Sequence, residues 1–128
     1  MRPGDGLTDA QRVRLAQSVA ATESATGLNV VLHVGRLEGG RAAAQGMLAA
    51  CDEAASSVVV AVDPGARALE IVTGRTASAM LDDRTCALAA LAMTSSFSAG
   101  DLVGGIRNGL QVLADHGRNA VTPHLDTF

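Results

Sequence analysis

Apolar residues recur along this chain with two periods, and the switches between them mark the elements. Residues 1–6 are a loose lead-in. Leu15, Val19 and Thr22 then share one face at helical spacing, with Ala16 and Ala20 beside them, while Arg12, Arg14, Gln17 and Ser18 fall elsewhere. Thr8 followed by Gln11 is a capping-box pattern, and Gly27 is a natural stop, so a first helix is predicted over about 8–26. From Asn29 to Val34 the period drops to two. Val30, Leu32 and Val34 take one face of a strand, and Val31 and His33 take the other. Gly35 ends it. The Ala-rich stretch 41–54 reads as a helix, with Ala44, Met47, Leu48 and Cys51 at core spacing.

Val58-Val59-Val60-Ala61-Val62 is apolar on both faces, the mark of an internal strand covered on both sides. Asp63-Pro64-Gly65-Ala66 is a tight turn, and Arg67 to Thr73 returns, so 58–73 is a β-hairpin. Gly74 breaks the strand. Asp82 or Asp83 caps a helix over 83–98, striped by Cys86, Ala90, Met93 and Phe97. Gly100 ends it. Asp101 caps a last helix over 102–116, whose seam is Val103, Ile106, Leu110 and Leu113. Gly104, Gly105 and Gly109 interrupt that helix at a cost, which makes sense where a neighbouring backbone approaches closely. His116-Gly117 closes it, and 118–128 form a polar tail.

The predicted order is α-β-α-β-β-α-α. A helix joins the strands at 29–34 and 58–62, so they should lie parallel through a right-handed crossover, and the hairpin adds an antiparallel strand. The expected fold is a small α/β/α sandwich: a mixed sheet of about three strands, a parallel pair plus a β-hairpin, covered by four helices.

Composition narrows the function. The chain has 128 residues, enough for one domain with its own core. Ten Arg, no Lys and thirteen acids give a net charge of −3, without the basic stripe that nucleic acid requires. Phe97 and Phe128 are the only aromatic residues, which argues against base or sugar stacking. The longest apolar run, Cys86 to Met93, is too short to span a membrane, and nothing after Met1 resembles a secretory signal, so a cytoplasmic location is expected. Cys51 and Cys86 read as small core residues.

Without Lys, neither a Walker phosphate loop nor Schiff-base chemistry can form. The chain also lacks H-E-x-x-H, C-x-x-C, G-x-S-x-G and an EF-hand loop. His33 reads as a partly buried strand residue, His116 as a helix-end cation and His124 as solvated. Asp63, Asp82, Asp83 and Asp101 sit at a strand end and at helix starts. Capping and turn formation account for them, but these are also places where α/β folds gather sites. Were their loops to converge, these four Asp would be candidate ligands for Ca²⁺ or Mg²⁺, although no cofactor is required. Arg67, Arg75, Arg84 and Arg107 could each hold an anion, or pair with Asp82, Asp83 or Asp101. The candidate binding set is Asp63, Gly74, Arg75, Asp82, Asp83 and Asp101. No catalytic residue is assigned.

Several segments, taken in order, resemble a known family. They are Leu7-Thr8-Asp9, Thr26-Gly27-Leu28, Val60-Ala61-Val62-Asp63-Pro64, Glu70-Ile71-Val72-Thr73-Gly74, Phe97-Ser98-Ala99-Gly100-Asp101-Leu102, and Gly104-Gly105-Ile106 through Gly109-Leu110. Together they look like the TPM domain, especially an actinobacterial branch of unknown function, over residues 7–117. The resemblance implies an α/β/α sandwich and, in some members, Ca²⁺ binding, acid phosphatase activity or assistance to membrane-protein complexes. The family's usual Asp-Asn-Gly before the internal strand is here Ala55-Ser56-Ser57, and its Gly-aromatic-Gly after the hairpin is reduced to Thr73-Gly74. The expectation is therefore a non-catalytic binding or accessory domain with a protein partner. The alternatives are a weak metal-dependent phosphatase and a homo-oligomeric interaction subunit.

Overall fold

The computed structural model describes residues 6–121, with side chains through residue 118. Residues 1–5 of the lead-in, and His124 with most of the expected tail, lie outside the described residues. Helix α1 (Asp9–Thr26) begins at the anticipated capping box. The Thr8 hydroxyl accepts from Gln11 N–H at 3.1 Å, and Gln11 Oε1 accepts from Thr8 N–H at 2.9 Å. It ends at Gly27, whose φ of 74° is open to glycine at little cost. Strand β1 (Asn29–Val34), helix α2 (Arg41–Ala49), strand β2 (Ser57–Asp63) and strand β3 (Ala68–Thr73) follow. Then come the short α3 (Ala77–Met80), α4 (Asp83–Ser98) and α5 (Leu102–Val121).

The sheet order is β1-β2-β3. β1 runs parallel to β2 with Val30 opposite Val58, and β3 runs antiparallel to β2 with Asp63 opposite Ala68 and Val58 opposite Thr73. The mixed α/β sheet is the one the alternation predicts. All seven residues of β2 are buried, because helices cover both faces. On one face Val58, Val60 and Val62 meet Leu15 of α1, Met93 of α4 and the α5 seam of Val103, Ile106, Leu110 and Leu113. On the other, Val59, Ala61 and Val72 meet Leu37 and Ala44, with α2 as the cover.

Three boundaries depart from the sequence reading. The expected 41–54 helix stops at Ala49, and a 3-10 turn (Ala54–Ser56) leads into β2, tied by Ser57 Oγ donating to Glu53 O at 2.7 Å. α3 supplies a fifth helix where a plain connection is expected. α5 does not close at His116-Gly117 but continues to Val121. Gly117 serves packing rather than termination, since a Cβ there would overlap Cγ2 of Thr26 and lie 3.6 Å from Leu81. His116 is thus inside the helix and exposed, with Nδ1 2.9 Å from Val112 O.

Candidate functional site

The six candidate residues divide between the two ends of the sheet. Asp63 closes β2 beside the β2–β3 turn, whereas Gly74 and Arg75 follow β3 at the end where β2 begins. Five residue steps separate these ends, about 17 Å. α4 is about 24 Å long at its helical rise, and Thr94, Phe97 and Ser98 near its end share a groove with Pro64 and Arg67 of the β2–β3 turn, so Asp82 and Asp83 start it toward the Gly74 end. Its far end and Asp101 lie beside the β2–β3 turn. The loops do not converge on one site.

Each acid has a local task. Asp63 is 8% exposed and accepts two main-chain N–H groups, Leu37 on Oδ2 at 3.0 Å and Ala66 on Oδ1 at 3.1 Å. The Leu37 N–H above all, then that of Ala66, holds its carboxyl below the ordinary value against the opposing effect of burial; the Gly65 N–H and the Arg36 charge add less. Asp82 caps α4 by accepting from Thr85 N–H at 2.9 Å. That bond and the Thr85 hydroxyl also lower its carboxyl, helped by the charges of Arg84 and His116. Asp101 caps α5, with Oδ1 2.9 Å from Gly104 N. Asp83 is exposed in the first turn of α4. Gly74 is a packing residue: its N–H donates to Ser57 O at 2.8 Å, and a Cβ would overlap the Ala54 carbonyl oxygen and lie 2.7 Å from Ala55 C.

Among the described residues, no three His, Cys, Asp or Glu side chains are grouped to hold a metal ion. The donor set therefore does not fit the shared cation that four converging Asp would have formed. The anticipated ion pairs of Arg67, Arg75, Arg84 and Arg107 with Asp82, Asp83 or Asp101 are absent among the described residues, because the two capping carboxylates face their own helix N–H groups. Arg107 instead reaches Ser18 Oγ at 3.2 Å. Cys51 and Cys86 are free thiols. Burial first, then Asp83 and Asp82, pushes the Cys86 thiol upward, away from the reactive thiolate. His33 is buried, with Nε2 2.9 Å from Arg36 O.

What the chain does present at the Asp63 end is a groove of about 480 Å³ between the β2–β3 turn and the α4–α5 corner. Pro64 and Arg67 form one rim; Thr94, Phe97, Ser98, Gly100 and Leu102 form the other. Gly100, at φ 85°, lets α4 turn sharply into α5. Gly105 leaves room for the Phe97 ring, whose Cε1 would stand 2.8 Å from a Cβ at that position. Arg67 has φ 53°, alone among the described non-glycine residues in being positive. Its guanidinium makes no ion pair or hydrogen bond among the described residues. Arg67 is in the set of anion-holding Arg read from the sequence, but the opposite rim is not, because its residues lie far along the chain from the turn.

A second, smaller groove of about 220 Å³ runs between α1 and α5, and several of its polar groups are already paired. Arg107 bonds Ser18, Arg118 meets Asp115 at 3.2 Å, and Thr22 Oγ1 donates to Leu110 O at 3.3 Å. No described helix is long and apolar enough to cross a membrane. Among curated proteins none matches the chain. The family model described as a domain of unknown function, DUF5130, matches residues 5–114, and the chain belongs to that family.

Proposed function

We propose that this chain is a non-catalytic binding or accessory domain that works through its β2–β3 turn end, in the service of a protein complex. The observation that carries the reading is the use made of its carboxylates. Asp63, Asp82 and Asp101 each spend an oxygen on a main-chain N–H, so they hold backbone in place. Those bonds lower the proton affinity of the Asp63 and Asp82 carboxylates, which makes them poor bases, and among the described residues no three acids, His or Cys are grouped to hold a metal ion. The open groove beside Arg67 supports binding at the same end. The ordered segments that resemble TPM domains support an accessory role on such a scaffold. A TPM-type phosphatase would require at least two free carboxylates side by side to hold a metal against the ester.

The test is a panel of phosphate esters with Ca²⁺, Mg²⁺ or Mn²⁺, run on the full chain. No turnover is expected, and none of the ions should raise the melting temperature, because only an ion that binds the native form does so. Turnover that disappears in Asp83→Ala, a substitution that breaks no hydrogen bond of the fold, overturns the proposal.

A further inference from the structure

We infer that the groove between the β2–β3 turn and the α4–α5 corner binds a small organic monocarboxylate with an apolar body, the carboxylate held by Arg67. The inference rests on the accessory-domain reading and names the ligand class for that surface. Its volume of about 480 Å³ falls in the range of small-molecule sites.

Charge sets the sign of the ligand. Among the described residues, Arg67 is the only charged one lining the groove. Among the described residues no carboxylate makes an ion pair with it, and the two acids at this end of the sheet bond main-chain N–H groups: Asp63 those of Leu37 and Ala66, and Asp101 that of Gly104. The Arg67 guanidinium is therefore uncompensated, and a planar fork of donors suits a carboxylate in bidentate contact.

The other lining groups set the number of charges and the body. Thr94 Oγ1 donates to Leu91 O at 3.2 Å and Ser98 Oγ to Thr94 O at 3.0 Å, so neither hydroxyl proton is available to a second anionic group. One free cation matches one negative charge, not a phosphate dianion. Phe97, Leu102 and Pro64 give the remaining wall an apolar surface for the body of the ligand. The backbone at Arg67 is left-handed. That conformation closes the β2–β3 turn, where Arg67 N–H donates to Pro64 O at 3.3 Å, and it fixes the residue at the rim of the groove.

The experiment is an amide NMR titration of the full chain with octanoate, with octanol and acetate as the uncharged and bodiless controls. Octanoate is expected to shift Arg67, Ser98, Gly100 and Leu102, and neither control should do so at the same concentration. Arg67→Gln should weaken octanoate roughly tenfold, the loss of one charge-assisted contact, without lowering the melting temperature. Thr94→Glu, which brings an acid to the groove from an exposed helical position, should weaken it likewise. Octanol binding as well as octanoate, shifts confined to other residues, or an unchanged affinity in Arg67→Gln would each overturn the assignment. Failure here with no ester turnover removes the ligand class alone; ester turnover lost in Asp83→Ala removes the accessory reading itself.

Discussion

Asp63 ties two loops to the end of a strand with one carboxylate, and its charge makes the tie strong. The Leu37 and Ala66 N–H bonds lower its folded value below the ordinary 3.8. For a depressed carboxyl, the stabilisation is fully present above the unfolded value and is lost as pH falls through the folded one. Stability should therefore decline below about pH 4, near the ordinary carboxylate range. Asp63→Asn should melt well below wild type at pH 7, and the gap should narrow by pH 3; a gap that stays constant with pH would show that ionisation plays no part. Half of this role is legible in the sequence. Asp-Pro-Gly announces a turn closed by an Asp side chain, and the Ala66 bond is that closure. The Leu37 bond crosses 26 residues of chain, and no local pattern reports it. Gly74 has the same limit: it reads as a strand breaker, while its close approach to the 3-10 turn arises only in three dimensions.

α5 shows what periodicity reports well and what it hides. Its seam of Val103, Ile106, Leu110 and Leu113 is buried at every position. The expectation that its glycines admit a neighbouring backbone holds at Gly105, where a Cβ would stand 2.9 Å from Met93 O, beside the Phe97 ring at 2.8 Å. Gly109 instead makes room for the Met93 side chain, and Gly104 for the Asp101 carboxylate. Two substitutions separate packing from propensity. Gly105→Ala should cost about 1–3 kcal/mol, since the Met93 carbonyl is fixed in α4 and cannot yield freely. Gly46→Ala in α2, where a Cβ meets nothing within 4 Å, should stabilise by about 0.5–1 kcal/mol in chemical denaturation. A loss at Gly46 or a gain at Gly105 would contradict the α4–α5 and α2 packing described above. The end of α5 is hidden because a glycine that packs and a glycine that stops a helix look alike in sequence. α3 and the 3-10 turn are hidden because elements of four and three residues complete barely one turn and show no period.

The whole molecule is an unequal sandwich, and the inequality predicts where it opens first. One face of the sheet carries α1, α4 and α5 around a large cluster; the other carries α2 over a small one. The layers and the parallel pair follow from the double-sided apolar run at β2, which is why the architecture is readable from the sequence. The candidate site is not, because which loops share an end depends on the direction in which α4 and β3 cross the sheet. α2 has nine residues, buries only Ala44 fully, and starts at Gly40 with no side-chain cap. An ion pair of Arg41 with Glu70 at 3.9 Å joins it to β3, but both groups are solvent-accessible and the contribution is small. β2, by contrast, is buried throughout and bonded on both edges. Regions with few buried contacts open at a fraction of the global free energy. Native-state hydrogen exchange should therefore find α2 amides exchanging well before those of β2, through a partial opening that bares Val59, Ala61 and Val72 while the larger cluster stays intact. Gly46→Ala sharpens the test. If α2 opens by itself, the substitution slows exchange of the α2 amides, which still exchange faster than those of β2. If α2 and β2 exchange at one common rate in both proteins, the two faces unfold as a unit and the inequality of the sandwich has no energetic consequence.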